Sequence, residues 1–192
     1  MRTFLLHGLG STPASMVYLQ QELEDSYPIS YNSHQRLEQS IRHVRQVIED
    51  FIEPDEEYCL IGHSLGGLIA HHIAQHNPQV KKLITIASPL GGSKAAWLLQ
   101  YAVIGSPIFA DLVTSSWYVK HIKESRPPAD VLSIIATEGG WSLFGEPNDG
   151  TVELRSQRAL PYGEKVEVDA NHFEVLLRLE TLHAIKEFYD RF

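Results

Sequence analysis

The chain of 192 residues holds a single cysteine, Cys59. No intrachain disulfide can form, and secretion into an oxidising compartment gains no support. Within "EYCLIG" (57–62) this residue reads as a small buried hydrophobe rather than a reactive thiol. Basic residues are also scarce: 16 Lys and Arg stand against 24 Asp and Glu, for a net charge of −8, with no Lys/Arg run. That excludes the basic footprint a nucleic-acid partner needs. A membrane span wants about 20 predominantly apolar residues. The nearest stretch, "AAWLLQYAVIGSPIFADLV" (95–113), is interrupted by Gln100, Pro107 and Asp111, so no integral span is expected. "MRTFLLHGLG" at the start lacks the longer apolar region and small-residue cleavage site of a signal peptide, and the expected location is cytoplasmic. Internal repeats and low-complexity segments are absent too.

What is there reads as an ordinary globular composition, 43% hydrophobic and 21% charged. Apolar, β-branched runs alternate with helical patterns. "TFLLHG" (3–8) predicts a buried strand, followed by a helix from Pro13 to Asp25 and a short strand "PISYN" (28–32). Leu37, Ile41, Val44, Val47, Ile48 and Phe51 recur at helical spacing and predict a helix over 35–51. "EYCLIG" is the next strand, and the helix after it stops near Asn77-Pro78. "KKLITIAS" (81–88), "VLSIIAT" (131–137) and "EKVEVDA" (164–170) read as further strands. An amphipathic helix from His172 to Phe192 closes the chain. Strands alternating with helices imply a mostly parallel sheet of about six strands with helices on both faces, an α/β architecture.

Two connections exceed a simple crossover. Residues 88–130 join two strands through the interrupted apolar stretch, and residues 138–150 form a glycine-rich loop, "EGGWSLFGEPNDG". Long apolar loops in compact domains are usually functional. In such a sheet ligands bind beyond the carboxyl ends of the strands, where both loops emerge.

The stretch "CLIGHSLGGLIAHHIAQH" (59–76) runs from strand to helix through a serine. A turn tight enough to lift that side chain off the sheet crowds its neighbours, and small residues two positions either side relieve the crowding. Gly62-His63-Ser64-Leu65-Gly66 has that spacing in that context. Ser64 is therefore the candidate nucleophile, although a glycine-eased turn with a capping serine would look similar. Such a serine needs a histidine base, held in one tautomer by a carboxylate. On this architecture the order is Ser, then Asp or Glu, then His, on loops after late strands. Asp149, in "PNDGTV" after "VLSIIAT", and His172, in "DANHFEVLL" after "EKVEV", occupy those positions. Glu146, Glu153 and Asp169 remain alternative acids.

The motifs "LLHGLGS" (5–11), "IGHSLGG" (61–67), "ITIASPLGGS" (84–93), "NDGTV" (148–152) and "NHFEVL" (171–176), in that order, resemble a small α/β-hydrolase of the serine lipase/esterase branch. Compact bacterial lipases and the hydrolase domain of GPI-inositol deacylases share the pattern. The resemblance spans nearly the whole chain and implies a three-layer fold with one hydrolase domain over 1–192. It implies Ser64 as nucleophile, Asp149 as acid and His172 as base. The backbone N–H groups of Leu9 and Leu65 would form the oxyanion hole. The implied reaction is hydrolysis of apolar acyl esters through an acyl-enzyme, with thioester, amide or acyl-transfer chemistry as alternatives on the same triad. A hydrolase-fold binding protein without turnover is the alternative outside catalysis.

No metal or organic cofactor is expected. His72 and His76 have the i, i+4 spacing of a metal pair, but the intervening "IAQ" lacks the glutamate of H-E-x-x-H. His7 and His63, beside the oxyanion loop and the nucleophile, read as packing or hydrogen-bonding residues rather than bases. Residues 95–113 carry more apolar side chains than one core-facing stripe needs, which predicts a small helical cap within the 88–130 insertion. Trp97 and Tyr101 from that stretch, with Trp141 and Phe144 from the glycine-rich loop, are the candidate substrate-binding residues.

Overall fold

The computed structural model describes residues 1–94, 106–140 and 145–191. Trp97, Tyr101, Trp141 and Phe144, with most of the expected cap, lie outside the described residues.

Six strands form one sheet: β1 (Arg2–Leu6), β2 (Ser26–Ile29), β3 (Tyr58–His63), β4 (Val80–Ile86), β5 (Asp130–Ala136) and β6 (Glu164–Val168). Their order is β2-β1-β3-β4-β5-β6, and every neighbouring pair is parallel. The central strands are buried on both faces, which is why they read as continuous apolar runs rather than alternating ones.

Successive side chains leave opposite faces, and the core divides accordingly. Phe4, Leu6, Leu60, Leu83 and Val131 pack with α2 (Leu37–Glu49) and α3 (Leu65–Gln75). Leu5, Cys59, Ile61, Ile84 and Leu132 pack on the other side, against α1 (Val17–Glu22) and the C-terminal helix. Cys59 is fully buried, and burial raises its thiol to about 12.

Several boundaries differ from expectation. The helix expected over Pro13–Asp25 is a 3-10 turn (Pro13–Met16) followed by α1, which ends at Glu22. β2 begins at Ser26, two residues earlier than expected, and includes Pro28, which an edge strand tolerates because an N–H facing solvent is not needed. The final helix does not run unbroken from His172. A 3-10 turn (Glu174–Leu177) precedes extended Arg178 (ψ 138°), and the helix proper occupies Leu179–Asp190.

Between β4 and β5 lie α4 (Ile108–Leu112) and α5 (Trp117–Glu124); α6 (Leu154–Gln157) follows β5, and α7 is the C-terminal Leu179–Asp190. Asp111, an interruption of the apolar stretch, is 7% exposed and accepts a hydrogen bond from the Leu37 N–H at 2.9 Å. It also pairs with Arg36 at 3.0 Å. Arg36, at the N-cap of α2, offers no side-chain cap, so a carboxylate from a distant element fills that role and ties α4 to α2.

β1 sends the chain outward to β2, and β3 returns on its other side. The connections beyond β1 and β3 therefore diverge, opening the crevice where open α/β sheets place their ligands.

Candidate active site

Ser64 leaves β3 with φ 53° and ψ −119°, a left-handed backbone that only a tightly packed turn would impose on serine. The glycines around it are needed for close approach. A Cβ on Gly62 would lie 2.3 Å from the Gly66 backbone, and one on Gly66 would lie 2.2 Å from the Leu6 carbonyl. Gly67 contributes as well, since its Cβ would fall on Ser88. The turn is pinned by the Ser64 N–H donating to the Ile86 carbonyl at 2.8 Å. Ser64 then caps the N-terminus of an 11-residue helix whose dipole places positive potential at the hydroxyl.

Three side chains that lie far apart in the chain meet here. His172 Nε2 is 3.0 Å from Ser64 Oγ, and His172 Nδ1 is 2.7 Å from Asp149 Oδ2. Asp149 is fully buried, but its oxygens are well supplied with donors. Oδ1 accepts from the N–H groups of Thr151 (2.9 Å) and Val152 (2.7 Å), and Oδ2 accepts from Gln157 Nε2 (3.0 Å). Held at both oxygens, Asp149 orients the His172 ring so that Nδ1 faces the carboxylate and Nε2 faces the Ser64 hydroxyl. The His172 N–H also donates to the Asp149 carbonyl at 2.8 Å, locking the two loops together.

The alternative acids are elsewhere. Glu146 pairs with Lys94, Asp169 is exposed, and Glu153 lines a separate cavity. Neither flanking histidine sits as a base. His7 stacks on Tyr31 with ring centroids 4.2 Å apart. His63 is buried; its Nε2–H donates to the His172 carbonyl at 2.8 Å, and burial with the nearby His172 lowers it to about 3. It is a neutral strut beneath the His172 ring.

Leu9 and Leu65 both line the cleft above Ser64, and neither backbone N–H has an acceptor among the described residues. Leu65 is the first residue of α3, where helical geometry leaves N–H groups free. Free N–H groups on two residues lining the same cleft as Ser64 are the kind of donor that holds an oxyanion, at roughly 3 kcal/mol each.

The cleft has a volume of about 160 Å³ and mostly apolar walls, supplied by Pro89, Phe109, Leu112, Val152 and Phe173. Sequence reasoning missed these residues. Phe109 and Leu112 lie within the expected cap segment but were outweighed by its larger aromatics. Phe173 is 62% exposed and packs edge-on against His172 at 5.2 Å, a contact to which its neighbour in "NHFEVL" was the only clue. Gln157 was also missed, since nothing local distinguishes a glutamine that bonds Asp149 and both backbone groups of Ala136.

Among the described residues no group of three or more His, Cys, Asp or Glu is placed to hold a metal ion. No described helix is long and apolar enough to cross a membrane.

The all-parallel sheet and the serine-bearing turn after β3 define the class: the fold is that of the α/β-hydrolases. Within it, the chain belongs to the palmitoyl protein thioesterase family, whose model matches residues 3–131. That stretch carries Ser64 and ends before Asp149 and His172. No curated protein sequence matches the chain significantly. Among solved structures it is similar to a Listeria innocua protein (15% identity, covering 100% of this chain and 94% of that one, TM-score 0.72). It is similar also to the mature form of a Bacillus licheniformis lipase (18% identity, 98% and 90% coverage, TM-score 0.69). A third is a probable hydrolytic enzyme of Pseudomonas aeruginosa (15% identity, 100% and 86% coverage, TM-score 0.68).

Proposed function

We propose that the protein is a serine hydrolase that cleaves carboxylic esters of apolar acyl groups through a Ser64–His172–Asp149 triad and an acyl-enzyme. The observation that carries this reading is the hydrogen-bonded chain from Ser64 Oγ through His172 to the buried Asp149 carboxylate. His172 Nε2 takes the Ser64 proton as Oγ attacks the acyl carbonyl, and the oxyanion forms against the N–H groups of Leu9 and Leu65. His172 then protonates the leaving alcohol; water, deprotonated in turn by His172, releases the acid. The apolar walls take the acyl chain.

The family match favours a second reading, in which the scissile bond is a thioester. The triad serves both, because the tetrahedral oxyanion is the same and only the leaving atom differs. A matched pair of substrates, one acyl group presented as an oxygen ester and as a thioester, separates them through kcat/KM. In either case a fluorophosphonate should label Ser64, and Ser64→Ala should abolish labelling and turnover with the unfolding midpoint retained. Wild-type turnover in Ser64→Ala would end the proposal.

A further inference from the structure

The two oxyanion donors of the proposed mechanism are held in different ways. The Leu65 N–H opens α3, whose 11 residues of helix fix its direction. Leu9 lies between β1 and the 3-10 turn at Pro13, in chain that belongs to neither helix nor strand. Its segment sits tightly beside the nucleophile: a Cβ on Gly8 would lie 3.2 Å from Ser64 Cβ. A donor on irregular chain turns with its peptide plane, so something other than secondary structure must set that plane.

Three consecutive peptide units run through this segment, and each is pinned by a different bond. The first, His7–Gly8, is held at its carbonyl by the buried Tyr31, whose hydroxyl donates to the His7 oxygen. The second, Gly8–Leu9, carries the Gly8 carbonyl at one end and the Leu9 N–H at the other. His7 Nδ1 lies 2.9 Å from that carbonyl, and the Ser11 N–H donates to it at 3.3 Å. A carbonyl only accepts, so Nδ1 carries the His7 proton. A trans peptide is planar with its C=O and N–H on opposite sides, so a bond that fixes the Gly8 oxygen also fixes the direction of the Leu9 N–H. The third, Leu9–Gly10, is held by the Gly10 N–H donating to Ser33 Oγ at 2.9 Å.

Tyr31 acts on this chain twice. Besides the hydroxyl bond, its ring stacks on His7 with planes 13° from parallel, and so sets the ring that holds the Gly8 carbonyl. Burial pushes the Tyr31 phenol well above its ordinary range, which keeps the hydroxyl proton in place as a donor. Tyr31 and Ser33 both belong to the loop after β2. That loop is tied to α2 by the Ser40 hydroxyl, which donates to the Asn32 carbonyl at 3.1 Å.

We infer that Tyr31 and Ser33 are positioning residues for the oxyanion, aiming the Leu9 N–H from both ends of its segment; this rests on the serine-hydrolase reading. Neither side chain lines the cleft, so neither meets the substrate. Their effect is felt when charge develops on the carbonyl oxygen, whereas the apolar walls set binding in the ground state.

Kinetics on Tyr31→Phe and Ser33→Ala in the full chain test this; the first keeps the stacked ring and loses only the hydroxyl. Removing a whole oxyanion donor costs about 10²–10³ in kcat, so a donor present but misaimed should cost about 10-fold to 30-fold, with KM within about twofold. A trifluoromethyl ketone bearing the acyl chain of the best ester gives a readout that a merely structural role would not move. Ser64 Oγ bonds to its carbonyl carbon, the Ser64 proton passes to His172, and the carbonyl oxygen becomes an alkoxide. Its Ki should rise by the factor by which kcat/KM falls, while that of the matching alcohol, which forms no adduct, stays constant. Ser33→Ala carries the test should Tyr31→Phe fail to fold. Wild-type kcat in either folded variant, or ketone and alcohol weakened alike, would overturn the inference and leave the triad standing. A wild-type chain that turned over neither ester nor thioester and escaped the fluorophosphonate would overturn the hydrolase reading, and this inference with it.

Discussion

Two histidine-rich regions of this molecule use the same side chain in opposite ways. At the triad, both ring nitrogens of His172 are engaged, one by a carboxylate and one by a hydroxyl. On α3, His71 and His72 are as deeply buried, yet His71 Nδ1 and His72 Nε2 have no partner among the described residues. His71 Nε2 meets the Tyr162 hydroxyl at 2.8 Å, and His72 lies among the rings of Trp117, Tyr118 and His121. Burial and neighbouring histidines lower His71 to about 3 and His72 to about 4. Partners, more than depth of burial, distinguish the His172 ring from the two on α3.

The comparison breaks most sharply at the triad. His172→Ala should reduce kcat by about 10⁴ or more, and Asp149→Asn by about 10³–10⁴, with KM and the unfolding midpoint little changed. Gln157→Leu removes one donor from Asp149 and should cost about 10-fold to 100-fold in kcat, on the scale of a hydrogen bond to a charged group. Steady-state kinetics on one ester check all three. If Asp149→Asn matched the wild type, the acid would have to be sought elsewhere.

The α3 histidines should instead appear in stability. Their folded values lie below the unfolded 6.5, so the unfolded chain binds more protons between about 4 and 6.5. The stability they contribute is complete above pH 6.5 and is lost as pH falls towards their folded values, at up to about 1.4 kcal/mol per pH unit for each ring. Denaturant titrations at pH 6.5, 5.5 and 4.5 should show this slope, and His72→Phe should remove one ring's share. An unchanged slope in that variant would mean that His72 does not titrate as its surroundings require.

The smallest effect belongs to Asp111. Asp111→Ala removes the borrowed cap of α2 and should cost about 1–2 kcal/mol in chemical denaturation. Little of that comes from Arg36, which is 54% exposed and pairs in high dielectric. Turnover should stay within a few-fold of the wild type.

These residues also show what a sequence can reveal. The buried strands were legible because parallel β-strands covered on both faces are nearly continuous apolar runs. Ser64 was legible because a strained turn leaves glycines at fixed spacing. Asp149 and His172 could be singled out because the topology fixes their order. Gln157 and Asp111 carried no such mark: each acquires its environment from elements brought together only by folding, and side-chain polarity alone reads as surface. The break at Arg178 was hidden for a related reason, since the apolar spacing of 173–192 continues through it.

The rims of the sheet bear on how the molecule meets its own copies. On one rim, Pro28 in β2 has no N–H to offer an arriving strand. On the other, β6 presents Glu164, Lys165 and Glu167. Arg191 clasps Glu164 at 2.7 Å, and Arg158 clasps Glu167 at 2.7 Å. A seventh strand would meet a missing donor at one margin and a hedge of paired charges at the other. An open sheet guarded in this way resists edge-to-edge pairing between copies of the chain.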